Sequence, residues 1–452
     1  MGTKNYITAI EIGSSKVSGT VGIATYDGIK IVAYASEPVE GFISKGVVRN
    51  VDATSSCLTN IINRLEAQLD NGATIEKAYT TIGGLSVRAI KSTVRRSFDE
   101  YKKITPDIID SMALENDNEF IVPEGYLKVR GFVQEYKLDS GVNTAPTGFH
   151  TRNIECNYLN IVIKEQFVKQ MNESFKMADI EIVDSFSAAK LEADILLSND
   201  DRRNCALINM GAATTTVSIY SDNFLRTLVV LPIGGENITK DICTEHISRE
   251  EAEQLKIFKG YNSTIVDNSP VPNETLNKII AARVGEILLN VKHQIEISGY
   301  KVAQILFTGG AAKLKNLNTL IEEHLSGYTT RIITEPSLNC FSDSNLYLAQ
   351  GAITPTLFGL LTTGKENCCK EPKPKEPAKP VQTTLFDEEV EEEVINEPQE
   401  KPVPKPEKPK KQPRPANGGG WGLFDIFSKG KGVLKELKDQ ISEEEEDGGD
   451  DE

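Results

Sequence analysis

Residues 9–19 read AIEIGSSKVSG, an apolar strand that turns at three small residues and returns as a second strand. A tight hairpin of glycine and serine lets backbone N–H groups and hydroxyls approach a phosphate group. The acid in the first strand, Glu11, is placed to hold Mg2+ through water. The same turn also occurs in hairpins that bind nothing, so one copy leaves both interpretations open. The candidate contacts in this motif are Glu11, Gly13, Ser14, Ser15 and Lys16.

Two later stretches extend the pattern. Residues 206–220 read ALINMGAATTTVSIY and repeat the order of strand, small-residue turn and strand, which predicts the other half of a phosphate site. Residues 304–317 read QILFTGGAAKLKNL, in which an apolar strand meets two glycines and then a helix. This junction permits close approach of an adenosine group, although an ordinary strand-to-helix loop has the same pattern. The candidates are Gly211, Ala212, Ala213, Thr214 and Thr215 in one motif and Gly309, Gly310 and Ala311 in the other.

Length and composition predict a mainly globular, cytoplasmic protein. The 452 residues are enough for two or three domains, and 39% of them are hydrophobic. No stretch reaches the roughly 18 to 20 uncharged apolar residues of a membrane span, and the first residues lack the pattern of a signal peptide. The net charge of −16 argues against a nucleic acid as the main partner. Seven cysteines without a CxxC pair predict a reducing compartment, and the scattered histidines predict no structural metal.

From about Lys365 the chain changes character. Residues 366–419 are dense in proline, lysine and glutamate and nearly free of aromatic residues, which predicts a disordered linker. Within it, residues 383–395 read TTLFDEEVEEEVI. This stretch fits either a solvated acidic run or a short partner-binding helix whose apolar residues lie between Leu385 and Ile395.

The segment after the linker has the pattern of a helix that lies in a membrane surface. Residues 421–441 read WGLFDIFSKGKGVLKELKDQI, with lysines between apolar residues at helical spacing. Such a helix inserts its apolar face at the headgroup boundary while the lysines meet anionic lipid, and docking on a protein is the alternative. Gly430 and Gly432 interrupt the helix, and the acidic tail at 442–452 weakens the attraction to anionic lipid. The apolar candidates are Trp421, Leu423, Phe424, Phe427, Leu434, Leu437 and Ile441.

The three motifs, in this order, resemble the phosphate-1, phosphate-2 and adenosine motifs of the actin, sugar kinase and DnaK-type chaperone superfamily. The sequence more closely resembles the FtsA family of bacterial cell-division proteins. That resemblance implies an α/β fold, namely a duplicated, actin-like, ribonuclease-H-like fold with two domains, and it covers residues 5 to about 362 and the terminal helix. The blocks that carry it are EIGSSK, SKGVVRNVDA at 44–53, LPIGGENITKDI at 231–242, EEAEQLK at 250–256 and TGGAAKL at 308–314.

The resemblance also implies roles for individual residues. ATP and Mg2+ would bind between the two domains, with Glu11 holding the metal through water. A hinge-side loop and a helix would complete the site, the helix holding the ribose and base. Two residues three apart on a helix, Glu253 and Lys256, are also typical of a surface pair. The residues added in this way are Gly234, Gly235, Asn237, Glu253 and Lys256.

The implied domain boundaries follow the same resemblance. An inserted subdomain would serve partner contacts and polymerisation, and its basic run VRAIKSTVRRSF alternates as a strand, which favours a solvated edge over a nucleic-acid patch. The boundaries are 1–79 and 166–200 for the first actin-like domain, 80–165 for the inserted subdomain, 201–365 for the second domain with an upper subdomain at 243–303, 366–419 for the linker, 420–441 for the membrane-targeting helix and 442–452 for the acidic tail.

The second turn departs from the superfamily pattern, which usually reads Asp-x-Gly-Gly-Gly-Thr-x-Asp. Asn209 and Thr216 stand at the two acidic positions, and Ala212 and Ala213 replace two glycines. Backbone amides and threonine hydroxyls still face a phosphate, so binding is expected to survive. Hydrolysis is expected to be slow or absent, because a carboxylate for metal-bound water is missing and only Glu192 is a weak candidate for orienting the attacking water.

The resemblance implies a membrane-tethered, ATP-binding protein of the division septum. It would polymerise on the cytoplasmic face of the cell membrane and anchor filaments of the tubulin-like division protein FtsZ. The implied partners are the FtsZ C-terminal tail, further copies of the chain, an anionic membrane surface and later division proteins, with no nucleic acid. The alternatives are an FtsA-related pilus-assembly or ethanolamine-utilisation protein and a metabolic ATPase or kinase of the same superfamily, which would need a catalytic aspartate.

Overall fold

Two similar α/β halves and an inserted sheet make up the described part of the chain. The structure is a computed structural model and describes residues 4–25, 28–262, 269–333, 340–342 and 353–370. The strands in these ranges are β1 (Tyr6–Ile12), β2 (Lys16–Thr25), β3 (Gly28–Pro38), β4 (Ile43–Ser44), β5 (Val47–Val48), β6 (Thr74–Ile75), β7 (Lys77–Ile82), β8 (Arg88–Lys103), β9 (Tyr126–Leu138), β10 (Gly141–Asn143), β11 (His150–Lys164), β12 (Glu181–Ser187), β13 (Asn204–Met210), β14 (Thr215–Ser221), β15 (Phe224–Leu231), β16 (Gln304–Thr308), β17 (Thr329–Ile332), β18 (Cys340–Ser342) and β19 (Cys369–Lys370). The α-helices are α1 (Val51–Glu66), α2 (Pro106–Glu119), α3 (Glu165–Met177), α4 (Ala188–Leu196), α5 (Gly235–Ile242), α6 (Arg249–Phe258), α7 (Asn273–Ile297), α8 (Leu317–His324) and α9 (Pro355–Thr363).

Five strands of each main sheet have the same order and directions, and β18 adds a sixth strand, parallel to β3, to the first sheet. In the first half the order is β12-β7-β1-β2-β3-β18, in which β1 to β3 form an antiparallel meander while β7 and β12 run parallel to β1. In the second half the order is β15-β14-β13-β16-β17, again a meander followed by two parallel strands beyond its first strand. The duplication that the resemblance implied is therefore present in the topology.

Each half buries an amphipathic helix against its sheet. In α1, Leu58, Ile61 and Leu65 are fully buried in the core of the first half. A Cβ on Gly19 of β2 would lie 2.8 Å from Ile61 Cγ2, so the glycine lets the helix approach the strand closely. In the second half, buried residues of α7 such as Ile280 pack with the apolar residues of β13 and β14. The two cores thereby hold the sheets whose hairpin turns carry the predicted motifs.

The inserted sheet lies between β7 and α3 in the chain. Its strand order is β10-β9-β11-β8, all antiparallel, and α2 contributes Met112 to its core. The basic run forms the edge strand β8, as predicted, and Arg95 pairs with Glu155 at 2.7 Å. The sheet also contacts the second half, because Gln134 Nε2 in β9 donates to the Leu225 carbonyl at 2.5 Å. The insert therefore contacts the edge strand β15 of the second main sheet.

The C-terminal part of the described chain returns to the first half. Helix α9 contacts β1 and α4, and a Cβ on Gly364 just after it would lie 2.5 Å from Ile7 Cγ2. The Cys368 N–H then donates to the Tyr6 carbonyl at 2.7 Å, and β19 pairs with β6. This differs from the predicted boundaries, which placed residues up to 365 in the second domain and the next ones in the linker. The physical reason is that the apolar residues of α9 are buried against the first half.

The predicted linker beyond residue 370, the terminal helix at 420–441 and the acidic tail lie outside the described residues. Among the helices that the structure does describe, we find none with the length and apolar character needed to cross a membrane. The predicted membrane contacts from Trp421 to Ile441 therefore stay predictions.

Candidate functional site

The two predicted phosphate turns have the same hydrogen-bonding geometry. In the first, the Gly13 N–H donates to the Lys16 carbonyl at 3.1 Å, and in the second the Gly211 N–H donates to the Thr214 carbonyl at 2.9 Å. A Cβ on Gly13 would lie 2.6 Å from the Lys16 oxygen, and one on Gly211 would lie 2.9 Å from the Thr214 oxygen. Each turn therefore closes only because its first residue has no side chain.

Both turns line one cavity of about 440 Å3 between the two halves. The third motif lines it as well, which brings together residues about 300 positions apart. The predicted residues that line the cavity are Glu11, Gly13, Ser14, Ser15, Lys16, Gly211, Ala212, Thr214, Gly235, Glu253, Lys256, Gly309, Gly310 and Ala311. The predicted residues outside its lining are Ala213, Thr215, Gly234 and Asn237.

The predicted residues that do not line the cavity support the second turn through contacts with the loop before α5. Thr215 Oγ1 donates to the Ile233 carbonyl at 2.8 Å, and Asn237 Oδ1 accepts from the Gly234 N–H at 3.0 Å. A Cβ on Gly234 would lie 2.7 Å from the carbonyl oxygens of Gly211 and Ala212. These residues hold the turn against the start of α5, so their place in the structure is a supporting one.

Glu11 and Asn209 occupy equivalent positions, two residues before the glycine of each turn. Glu11 is half-buried at the base of the cavity and accepts a hydrogen bond from the Thr354 hydroxyl. Burial raises the pKa of Glu11, while the Thr354 hydrogen bond and the charge of Lys16 oppose the shift. The first turn thus carries a carboxyl where the second carries an amide.

Glu192 in α4 is the second carboxyl at the base of the cavity. It is 5% exposed, and its Oε1 accepts from the Asn209 amide and, at 3.1 Å, from the Thr356 hydroxyl. Burial, together with the neighbouring Glu11 carboxyl, raises the pKa of Glu192 to about 8. At neutral pH this side chain is therefore held mainly in its uncharged form.

Lys256 and Glu253, which also line the cavity, form a partly buried ion pair. Lys256 Nζ contacts Glu253 Oε2 at 2.6 Å and Thr239 Oγ1 at 2.9 Å, and only 12% of the lysine side chain is exposed. A lysine so enclosed is not the solvated surface pair that two residues three apart on a helix usually form. Its ammonium group adds a fixed positive charge to the cavity wall.

Gly309 and Gly310 follow β16 at the cavity but differ in their surroundings. Gly309 has φ +93°, and a Cβ on it would lie 2.3 Å from Asn209 Oδ1 and 2.5 Å from the Met210 carbonyl oxygen. A Cβ on Gly310 would meet no atom within 4 Å. Gly309 therefore joins β16 to the second turn, and Gly310 leaves open space beside it.

Both comparisons of the sequence with known proteins name the cell division protein FtsA. A sequence model described as the cell division protein FtsA matches residues 206–347. The FtsA of Porphyromonas gingivalis is 25% identical over 377 residues, which span 76% of this chain and 78% of the relative. The FtsA of Pseudomonas aeruginosa is 25% identical over 340 residues, 70% of this chain and 80% of the relative. The chain is similar to FtsA proteins over most of its length.

The fold of this chain is the duplicated, actin-like α/β fold that the sequence predicted. Among solved structures, a chain of the "PilM-PilN type IV pilus biogenesis complex" matches with a TM-score of 0.58 and 14% identity. The match covers 79% of this chain and 96% of that one. At this identity the likeness concerns the fold alone, so it does not favour the pilus-assembly alternative.

The comparisons leave the roles of single residues in this chain as predictions. Sequence reasoning missed Thr354 and Thr356, whose hydroxyls contact the two carboxyls, and gave Glu192 little weight. A threonine before Pro355 does mark a helix start, but that signal is local and does not say which site the helix reaches. Within the described residues, no cluster of three or more His, Cys, Asp or Glu side chains that could hold a metal ion occurs. The carboxyls that line the cavity are Glu11, Glu192 and Glu253.

Proposed function

We propose that this chain is a membrane-tethered, ATP-binding cell-division protein that assembles at the division site and anchors FtsZ filaments to the cytoplasmic membrane. The observation that carries the nucleotide part is the pair of matching hairpin turns, Gly13–Lys16 and Gly211–Thr214, on one cavity. The similarity of the chain to FtsA proteins supports the division part. The nucleotide would act as a switch for assembly, because a ligand that contacts both halves favours the closed form.

The cavity residues fit a nucleoside triphosphate. Glycines at the start of both turns bring backbone amides close to the cavity, and Lys16 and Lys256 supply positive charge for phosphate oxygens. The open space at Gly310 and the neighbouring Ala311 leave room for the adenosine group, with Glu253 toward the ribose. A bound Mg2+ would neutralise phosphate charge, and Glu11 would hold its water ligands.

Weak hydrolysis is part of the proposal. Asn209 cannot act as a carboxylate, and its amide donates to Glu192. Glu192 has its pKa raised to about 8, so at neutral pH it is a poor base for a water molecule. Asn209 and Glu192 therefore hold each other in place, and neither is a good base for activating a water molecule.

The predicted domains define where the partners would bind. We retain residues 80–165 as the subdomain for partner contacts and polymerisation, and 243–303 as the subdomain for the FtsZ C-terminal tail. Helix α7 of the latter leaves Leu289 and Ile297 exposed, which is the kind of surface that an amphipathic peptide covers. Later division proteins would bind the assembled form.

The membrane part depends on residues 420–441. A single interrupted helix binds the membrane weakly. Many copies along one filament would bind it together, so avidity would hold the filament on the membrane. The inner face of the cell membrane supplies the anionic lipid that the lysines of this segment require.

ATP binding and phosphate release test the nucleotide proposal. We expect the purified chain to bind ATP with Mg2+ and to release phosphate very slowly, with or without anionic liposomes. Lys16→Met is expected to weaken ATP binding by about tenfold, since it removes one charge from the phosphate site. Lys176→Met, at an exposed position outside the cavity lining, is the matched control. Equal binding by the two variants would contradict the assignment of Lys16, and rapid phosphate release would contradict weak hydrolysis.

Deletion of residues 421–441 tests the tether. We expect the full chain to sediment with anionic liposomes and the deleted chain to stay in the supernatant, because the apolar and basic residues of the predicted helix are gone. Binding of the FtsZ C-terminal peptide is the control and should be unchanged. A deleted chain that still sediments with the liposomes would refute the tether.

A further inference from the structure

One wall of the cavity is apolar and has no part in the proposed nucleotide site. It is formed by Val87, Ile163, Phe167, Leu228 and Val230. These residues come from the loop after β7, from β11 and α3, and from β15, and none belongs to the three sequence motifs. Phosphate groups gain nothing from such side chains, so this apolar wall suits a different ligand.

A buried hydroxyl without a partner lies next to this apolar wall. Ser86 is 4% exposed and lines the cavity, and within the described residues its Oγ has no hydrogen-bond partner. The loop around it is held by backbone bonds, since the Leu85 N–H donates to the Lys45 carbonyl at 3.0 Å and Gly84 has φ +76°. A buried hydroxyl left unpaired costs free energy, and a ligand in the cavity would satisfy it.

Two cations flank the aromatic ring of the same wall. Arg49 Cζ lies 5.5 Å from the centre of the Phe167 ring, and Lys164 Nζ lies 5.9 Å from it. Both are exposed, and neither forms an ion pair with a carboxylate in the part of the chain that the structure describes. Neither residue lines the cavity itself, but both charges lie beside Phe167, which does, and there they would attract an anionic group.

We propose that the apolar wall, Ser86 and the two cations form a second binding site, for a small amphipathic anion. The apolar body of the ligand packs on Phe167 and its neighbours, a polar atom on it pairs with the Ser86 hydroxyl, and its anionic end lies near Arg49 and Lys164. The site adjoins the carboxyl end of β7, the place where ligands bind in open α/β sheets. It goes beyond the nucleotide proposal and does not depend on it.

The probe for this site is 8-anilinonaphthalene-1-sulfonate, which joins an aromatic body to one negative charge and fluoresces in apolar surroundings. The full chain is titrated with it, both without nucleotide and with saturating ATP and Mg2+. We expect saturable binding in both conditions. The Arg49→Gln, Lys164→Gln double variant should bind the probe about tenfold more weakly, because it loses both attracting charges.

A matched control separates local from overall charge. Lys176→Gln with Lys301→Gln removes the same charge at two exposed positions that do not contact the Phe167 ring, and should leave binding unchanged. Ser86→Ala removes the hydroxyl at the loss of a single heavy atom and is expected to weaken binding about threefold. The variants are checked for unchanged circular dichroism before titration.

Several results would overturn the proposal. The first two are an absence of saturable probe binding and an equal loss of affinity in the control double variant and in the Arg49→Gln, Lys164→Gln double variant. The others are an unchanged affinity in that double variant or in the Ser86 variant, and competition between ATP and the probe for one site. A chain that fails to bind ATP would contradict the nucleotide proposal alone, because the comparison of variants without nucleotide still tests this site.

Discussion

Replacing Gly309 by alanine is expected to lower the free energy of unfolding by at least about 3 kcal/mol. Two costs combine at this position. The residue has φ +93°, which L-residues with a side chain rarely adopt, and the new Cβ would lie 2.5 Å from the Met210 carbonyl oxygen. Backbone atoms cannot move aside as the end of a long side chain can. The second turn and the end of β16 would have to separate, so ATP binding should be lost together with stability.

Gly310→Ala is the matched control for this prediction. Gly310 has helical backbone angles, and a Cβ on it would meet no atom within 4 Å. Its substitution should change the free energy of unfolding by less than about 0.5 kcal/mol. Urea denaturation of both variants gives the comparison. Similar losses in the two variants would contradict the tight junction at Gly309.

Protonation of Glu192 is expected to make stability depend on pH. The pKa of this carboxyl is about 8 in the folded chain against a usual value of 4.5, so the folded state keeps a proton that the unfolded state has lost. The stability that this raised pKa contributes is therefore fully present below about pH 4.5, and it is lost as the pH rises through about 8. Within that window the slope approaches about 1.4 kcal/mol per pH unit.

Glu192→Gln should remove this slope while keeping the contacts. The glutamine oxygen still accepts from the Asn209 amide and the Thr356 hydroxyl, and the side chain no longer titrates. The free energy of unfolding of both proteins is measured between about pH 5 and pH 9, where the difference between them should grow with pH in favour of the variant. Glu245→Gln, at an exposed position, is the control and should keep the wild-type slope. Parallel curves for Glu192→Gln and wild type would contradict the raised pKa.

Local chemistry made the two turns predictable. Each turn needs a glycine because a Cβ would press on a carbonyl three residues later, and this need shows directly in EIGSS and NMGAA. The repeat of strand, turn and strand then predicted the duplicated sheets. Thr215 belongs to the second motif, and Asn237 belongs to one of the blocks that carry the family resemblance. Both were therefore named as contacts, although in the structure they support the second turn.

Contacts between distant segments were not predictable in the same way. The return of α9 and β19 to the first half depends on apolar surfaces of the first sheet and α4 that only the folded chain forms. Lys256 looked like half of a surface pair because its enclosure involves Thr239 and the carbonyl of Gly235, which belong to another helix. Residues that are far apart in the sequence leave no spacing pattern that would predict their contact in the folded chain.

The sequence by itself determined the two hairpin turns, the Gly-Gly junction and the duplicated plan, because each depends on residues within a few positions of one another. The tertiary structure decided that Glu192, Asn209 and Thr356 meet at the base of one cavity and that burial raises the pKa of the carboxyl among them. It also decided that Arg49 and Lys164 share one aromatic ring. Burial and proximity are properties of the packed chain, since they depend on which surfaces exclude water together.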